Sequence, residues 1–380
     1  MDHNKGGLNL IFLCSGLEPG RDGVGDYTRR LAANLLENGA AATIIALNDR
    51  FADASITTHQ FADGVNVPVM RLPSTLNDKE RYALARDLIT ALNPQWISLQ
   101  FVPFGFHEKG LKAGLSKWLL SLSNTARWHV MIHELWVGMD AQSTAKHKTW
   151  GWVQRQLIAS LLKKIKPTVI TTQAKLYQQY LQQMGYKAHY MPLYSNISVA
   201  NNKKPVGNDR SINFVLFGNI HHGGPAKEFI REVADYGKVN DISLNLTLLG
   251  HCGPEQETWV KEWTIAGLQA NIIGKQSSER ISDELHSASI GITTTPLALT
   301  DKSGSFAAMR AHGLPVISVS RDWHPQGVKN VVNPNGVFHY QKGNFKEFYD
   351  NLNKTSEPAI GVDAIAQQLE SLLSAFNGKF

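Results

Sequence analysis

Short apolar runs alternate with longer stretches of helical period along most of this chain, the signature of βαβ units and a parallel sheet. In the first half, strands are expected at Leu8–Cys14, Ala42–Leu47, Gln95–Phe101, His129–His133 and Thr168–Thr172. Helices are expected between them at Asp26–Glu37, Lys79–Ala91, Leu111–Leu122, Trp150–Ile165 and Ala174–Met184. Leu10-Ile11-Phe12-Leu13 is apolar without interruption, which suits a sheet covered on both faces. The stretch 196–211 breaks the pattern: it is polar, carries Pro205 and Gly207, has no period, and reads as a linker. Beyond it the alternation restarts. Strands are expected at Ile212–Phe217, Ser243–Leu249, Ala270–Ile273, Ile290–Thr294 and Pro315–Val319, and helices at Ala226–Tyr236, Thr258–Ala266, Glu279–His286 and Ser305–Ala311. One more amphipathic helix closes the chain at Val362–Phe376. The expected organisation is therefore α/β, with Rossmann-like domains at 1–195 and 212–361, a linker at 196–211 and a terminal helix within 362–380.

Composition agrees with that division and adds little to it. At about 150 residues per domain, 380 residues make two, each able to bury a core. A hydrophobic fraction of 43% with 18% charged residues excludes a largely disordered chain. No run of about 18 apolar residues occurs, so no spanning helix is expected. Met1–Gly7 has no apolar signal segment, and Cys14 and Cys252 read as buried reduced thiols; the expected location is the cytoplasm. Charge changes the picture more. The net +6 divides into 21 Lys and Arg against 14 Asp and Glu over residues 1–195, and 17 against 18 over 196–380. A basic first half is compatible with peripheral contact at an anionic lipid surface, or with an anionic acceptor. Its basic residues are not interleaved with aromatics on one motif, so nucleic acid is not an expected partner.

Five segments carry candidate chemistry. After the first strand, the loop Ser15–Tyr27 contains Gly23, Gly25 and Asp26; glycines at a strand-to-helix turn let backbone amides approach an anion at the positive end of the helix. Thr28 stands where a dinucleotide fingerprint needs its third glycine, which argues against a dehydrogenase. Phe217-Gly218-Asn219-Ile220-His221-His222-Gly223-Gly224 follows the first strand of the second half, with Lys227 behind it, and suits phosphate contacts. Its adjacent histidines point apart, and no metal site is expected. Thr300-Asp301-Lys302-Ser303-Gly304-Ser305 follows the strand Ile290–Thr294; Ser303 or Ser305 caps a helix, Gly304 admits a phosphate, and Lys302 supplies countercharge. His133, with Glu134, ends a strand where an imidazole can donate to a sugar hydroxyl or exchange a proton. Trp150–Lys166 places Val153, Leu157, Ile158, Leu161, Leu162 and Ile165 at helical spacing among Arg155, Lys163, Lys164 and Lys166, a pattern shared by membrane-surface helices and by the more common cover helix of a sheet.

Two βα halves, a glycine loop after the first strand of each, and a terminal helix together resemble the GT-B glycosyltransferases, specifically glycosyltransferase family 4. Gly23-Val24-Gly25-Asp26-Tyr27, followed by Arg29, Arg30 and Leu31, looks like that family's opening motif, which lies by the donor phosphates and the acceptor. His133-Glu134 stands where the family has His-Asp. Ala311-His312-Gly313-Leu314-Pro315-Val316-Ile317 looks like the family's C-terminal segment. The resemblance departs at Asn219, which stands at a family Arg, at Lys227, which lies later than the family Lys, and at Ala308, which falls on the glutamate that holds the ribose, with Thr300 or Asp301 near the other.

The resemblance implies two domains facing a cleft, with the terminal helix crossing back to the first. It implies retaining transfer of a sugar from a nucleotide diphosphate sugar to an acceptor hydroxyl, on a glycan or a lipid-linked sugar, in cell-surface polysaccharide or glycoconjugate synthesis. The nucleotide sugar is a co-substrate and no cofactor is expected. Gly23, Gly25, Gly218, Asn219, Lys227, Lys302, Ser303, Gly304 and Ser305 would face the donor; Asp26 and His133 are the catalytic candidates, with Asp26 bordering the acceptor and His133 touching the donor sugar. A nucleotide-sugar epimerase and a non-catalytic GT-B partner protein are the alternatives.

Overall fold

A computed structural model describes residues 7–199, 210–352 and 360–376; residues 200–209 of the expected linker lie outside them. The described residues form two compact units, one within Met1–Pro192, His324–Val328 and Val362–Phe380, the other within Leu193–Trp323 and Lys329–Gly361.

The first unit is an eight-stranded sheet. Its strands are β1 (Asn9–Cys14), β2 (Ala41–Asp49), β3 (Ile56–Ala62), β4 (Val65–Pro73), β5 (Trp96–Phe101), β6 (Arg127–Ile132), β7 (Val169–Thr172) and β8 (His189–Tyr190), in the order β3-β4-β2-β1-β5-β6-β7-β8. Every pairing is parallel except β3 with β4. Helices α1 (Gly23–Glu37), α2 (Asp78–Leu92), α3 (Pro103–Phe106), α4 (Leu115–Leu120), α5 (Ala145–Ile165) and α6 (Lys175–Gln183) make the crossovers. β1 is apolar almost throughout, and β1 and β5 are nearly wholly buried, as a doubly covered sheet requires.

The second unit repeats the plan with β9 (Ser211–Phe217), β10 (Ser243–Leu249), β11 (Gln269–Gly274), β12 (Ile290–Thr293), β13 (Val316–Ser318) and β14 (Val337–His339), all parallel in the order β11-β10-β9-β12-β13-β14. Its helices are α7 (Ala226–Asn240), α8 (Glu255–Ile265), α9 (Ser278–Ser287), α10 (Gly304–Ala311) and α11 (Phe345–Asp350). The period of two along β9 divides the core. Ile212, Phe214 and Leu216 join a cluster with Phe229, Trp263 and Phe345, while Val215 joins Leu285, Phe306 and Met309 in a separate one. The last helix, α12 (Val362–Ser374), returns to the first unit. It buries Ile365, Ala366, Leu369 and Leu373; Asp363 accepts from Asn34 Nδ2 at 2.5 Å, and Gln368 donates to the Tyr190 carbonyl at 2.8 Å. His324–Val328 also belongs there, held by Ala141 N to His324 O and Gln326 N to Met139 O, both 2.7 Å.

Several elements differ from the expectation. The β3–β4 hairpin was not foreseen, because β3 buries no residue and so shows no apolar alternation; Asp63-Gly64, with φ of 46° and 86°, is its turn. The helix expected from Asp26 starts at Gly23, since Asp22 caps it by accepting from the amides of Val24 and Gly25, each at 3.0 Å. Over Leu111–Leu122 only Leu115–Leu120 is helical, preceded by Gly114 at φ 74°. The helix expected from Trp150 begins at Ala145, capped by Thr144. The strands β8 and β14 and the helices α3 and α11 are too short to leave a period in the sequence. The Trp150–Lys166 pattern belongs to α5, which buries Ile158, Leu161, Leu162 and Ile165, as a cover helix does. Among the described residues no helix is long and apolar enough to cross a membrane.

Two contacts set the loop after β1. A Cβ on Gly25 would lie 2.6 Å from the Gly16 carbonyl oxygen, so α1 approaches the loop as closely as only glycine allows. Below it, Asp49 accepts from Leu17 N at 3.0 Å and pairs with Arg71 Nε at 2.7 Å, while Arg71 Nη2 reaches Glu18 at 2.7 Å. Burial raises the Asp49 pKa, but the Arg71 hydrogen bond and the amides of Phe51 and Leu17 outweigh it and hold the carboxyl below its ordinary value. Two outcomes follow, both read by urea denaturation. Gly25→Ala loses about 1–3 kcal/mol through overpacking against backbone, although alanine is the better helix former; a more stable variant would disprove the close approach. Arg71→Ala leaves a buried, unpaired Asp49 and loses about 3–5 kcal/mol. Because the Asp49 pKa is depressed in the folded state, its contribution is complete above the unfolded value and disappears as pH falls through the folded one; Asp49→Asn removes that acid-side slope.

Candidate functional site

In each sheet the chain begins at an interior strand and then proceeds outward in both directions. The order reverses between β1 and β5 in the first unit, and between β9 and β12 in the second. Open α/β sheets bind ligands outside the carboxyl ends of their strands at such reversals. Four loops meet that description, and they contain most of the residues singled out from the sequence.

In the second unit, β9 is followed directly by Gly218, whose φ is 81°. A Cβ placed on Gly218 would lie 3.4 Å from the Ser305 Cβ, so the loop after β9 and the start of α10 are in contact. The loop is fixed further by His221 N donating to Thr294 Oγ1 at 2.8 Å. Beyond β12, a 3₁₀ turn over Leu297–Lys302 leads into α10. Ser303 is its N-cap: its hydroxyl accepts from Phe306 N at 3.3 Å and lies 3.1 Å from the Ser305 hydroxyl. Gly304 is exposed and open, with nothing in reach of an added Cβ.

Charge gathers at the same edge. The His221 imidazole is lowered from its ordinary pKa first by desolvation and then by its electrostatic neighbours Lys302, His222 and Arg321. These four groups come from the ends of β9, β12 and β13. Arg321 is placed by packing: its side chain lies 3.4 Å from where a Gly223 Cβ would be, and a Gly224 Cβ would collide with the Val319 carbonyl. The sequence reading missed Arg321. It lies a hundred residues beyond His221, and only the β9-β12-β13 order brings the two together.

Asn219 is turned toward the loop after β10, its Oδ1 lying 2.8 Å from the position of a Gly253 Cβ. Lys227 is exposed in the first turn of α7. Ala308, at the position of the family's ribose-binding glutamate, is wholly buried among Val215, Phe306 and Met309. Asp301 is buried.

In the first unit, Gly23 and Gly25 lie within the first turn of α1, where the Asp22 carboxylate already takes two amides. Asp26 accepts from Gly20 N at 3.2 Å and pairs with Arg29 at 2.8 Å. Arg29 is buried and also donates to Gln60 Oε1 at 2.7 Å and to the Leu17 carbonyl at 2.9 Å. His133 follows β6 and is only 3% exposed. Its Nδ1 lies 3.2 Å from Gln173 Oε1 and its Nε2 2.9 Å from Gln100 Oε1, with the Tyr27 ring edge-on at 5.0 Å. Burial pushes its pKa down to about 4, so at neutral pH the imidazole is uncharged. A ligand that reached either nitrogen would have to displace a glutamine.

Among the described residues no group of three or more His, Cys, Asp or Glu is placed to hold a metal ion. Cys14 and Cys252 are buried free thiols in different units, and burial raises both pKa values.

No family model matches this chain, and no curated protein does. Solved structures do. The catalytic domain of starch synthase IV from Arabidopsis thaliana, bound to ADP and acarbose, is 13% identical over 97% of this chain and 99% of its own, with a TM-score of 0.52. A candidate UDP-N-acetylglucosamine 2-epimerase from Listeria monocytogenes is 11% identical over 98% and 97%, with a TM-score of 0.55. An alpha-glucosyltransferase in complex with UDP and a 13-mer DNA is 12% identical over 98% and 97%, with a TM-score of 0.53. Its DNA leaves the expected exclusion of nucleic acid without support. Identities this low speak for fold alone, and the fold of the chain is that of the GT-B glycosyltransferases.

Proposed function

We propose that the protein transfers a sugar from a nucleoside diphosphate sugar to an acceptor hydroxyl. The observation that carries this is the gathering of Lys302, Arg321 and His222 around His221 at the chain reversal of the second sheet, on a loop whose Gly218 packs against Ser305 in the first turn of α10. A departing diphosphate develops negative charge, and fixed cations and helix amides lower the barrier by being in place before that charge forms. In this reading Lys302, Arg321 and His221 face the phosphates, Ser303, Gly304 and Ser305 present the helix amides, and Gly218 and Asn219 border the nucleotide. Lys227 is an outer cation.

The GT-B neighbours with bound UDP or ADP support a nucleotide co-substrate of this type. The family 4 resemblance adds retention of anomeric configuration, with Asp26, Gly23 and Gly25 on the acceptor side and His133 near the donor sugar. It also supports assigning 1–195 to the acceptor and 212–361 to the donor, and a role in cell-surface polysaccharide or glycoconjugate synthesis. The basic first half suits an anionic or lipid-linked acceptor and peripheral membrane contact on the cytoplasmic side. A second reading, nucleotide-sugar epimerisation, rests on the Listeria neighbour; turnover of UDP-N-acetylglucosamine with no acceptor present would select it.

A thermal-shift panel of UDP, ADP, GDP and their sugars tests the reading, since stabilisation grows with ligand concentration over Kd. At least one nucleoside diphosphate should raise Tm. Lys302→Ala and Arg321→Ala should each weaken that ligand about 10- to 100-fold, the value of a charge-assisted hydrogen bond. Failure of every nucleotide to stabilise the protein sinks the proposal.

A further inference from the structure

The crossover from β5 to β6 spends only six residues on α4, and the chain before it loops through Gly110 and Gly114, both at positive φ. Between this loop, α3, α4 and α5 lies a cavity of about 470 Å³, part of it open to solvent. Phe101, Phe106, Leu157, Ile158 and Leu161 give it apolar walls. Gln154 also lines it, but its amide is engaged within the protein: Oε1 accepts from Val137 N at 2.9 Å and Nε2 donates to the Lys109 carbonyl at 3.0 Å. A Cβ on Gly110 would lie 2.4 Å from that nitrogen, so the loop reaches α5 as closely as only glycine allows.

Three polar side chains on the lining are not engaged in this way. Ser116, in the first turn of α4, is only 5% exposed, and among the described residues its hydroxyl has no hydrogen-bond partner. A hydroxyl buried without a partner is costly, so a group that bonds it on entering the cavity recovers that cost. Ser160 and Lys164 lie one turn apart on α5, on the face that presents Leu157 and Leu161 to the cavity. Lys164 is exposed, and among the described residues no carboxylate pairs with it. Lys112, by contrast, is held by Asp78 Oδ2 at 2.5 Å. Apolar walls with one buried hydroxyl and one unpaired ammonium suit an aliphatic chain that ends in an anion. The two donors match the two oxygens of a carboxylate, whereas a phosphate would leave oxygens desolvated against phenylalanine and leucine.

We propose that this cavity binds a medium-chain monocarboxylate, its chain among Phe101, Phe106 and Leu161 and its carboxylate on the Ser116 hydroxyl and the Lys164 ammonium. Ser160 is a further donor on the same lining. The site lies wholly within the first unit and is independent of the transfer reading. It adjoins the loop after β1 through α3: Pro103 and Phe106 line the cavity, and a Cβ on Gly105 would lie 2.4 Å from Ser15 Oγ.

Isothermal titration of the full chain with decanoate, below its micellar concentration, tests the site. Decanoate should bind, and decyltrimethylammonium, with the same chain and the opposite head charge, should not. Ser116→Ala should weaken decanoate about 10- to 100-fold, the value of a hydrogen bond to a charged group. Lys164→Gln should weaken it about 2- to 5-fold, since an exposed charge is screened. Because the Ser116 hydroxyl has no partner to lose, Ser116→Ala should keep the wild-type Tm when no ligand is present. Absence of decanoate binding overturns the proposal, as does equal binding of the cationic amphiphile. So does a Ser116→Ala variant that binds decanoate unchanged, or one whose ligand-free Tm falls, since that hydroxyl would then be bonded within the protein. None of these results bears on nucleotide binding, which the thermal-shift panel reads separately.

Discussion

Parallel pairing is the constraint on which the rest of this protein depends. Two parallel neighbours cannot be joined by a tight turn, so each connection must cross the sheet and re-enter from the same edge. Apart from antiparallel β3, the carboxyl ends then lie along one edge of each sheet, and the loops that leave them are neighbours whatever their distance in sequence. The convergence of His221, Lys302 and Arg321, from three loops, is a product of that rule. So is the burial of a polar row in the first sheet, where three adjacent strands run in one direction and bring Ser98 opposite His129.

The two chain reversals differ in electrostatic character. At the second, cations from three strand ends crowd together and depress a histidine. At the first, the positive end of α1 is already met by Asp22 and Asp26, and Arg29 and Arg71 are engaged with carboxylates and carbonyls. An anion arriving there would compete with carboxylates, whereas one arriving at the second would meet the groups that lower the His221 pKa. The glycines after β1 accordingly have a packing explanation in the contact of Gly25 with Gly16, independent of any ligand.

Much of the architecture was legible because buried parallel strands write themselves as continuous apolar runs. β1 and the second half of β9 lie where such runs occur, while β10 shows the alternation of a strand with one exposed face. β3 was not legible, since a strand with no buried residue leaves no alternation to detect, although Asp63-Gly64 carried the hairpin signal. At the candidate site, the loops after β9 and β12 were visible as glycine, serine and lysine clusters. Arg321 was invisible, because its relevance arises from strand order alone. The polar row was hidden for a similar reason: Ser98, Gln100, His129, Thr171 and Gln173 are scattered over 76 positions and become one chain only in register.

The return of α12 and of His324–Val328 to the first unit has a consequence for how the protein is made. The unit that starts with β1 is synthesised first but lacks the helix that covers Asn34 and Tyr190 until the whole second unit has been translated. The second unit is interrupted by the first at only one short segment. The last strand and helix of that unit, β14 and α11, precede α12 closely in the chain, so the same final stretch completes both units and neither is closed well ahead of the other.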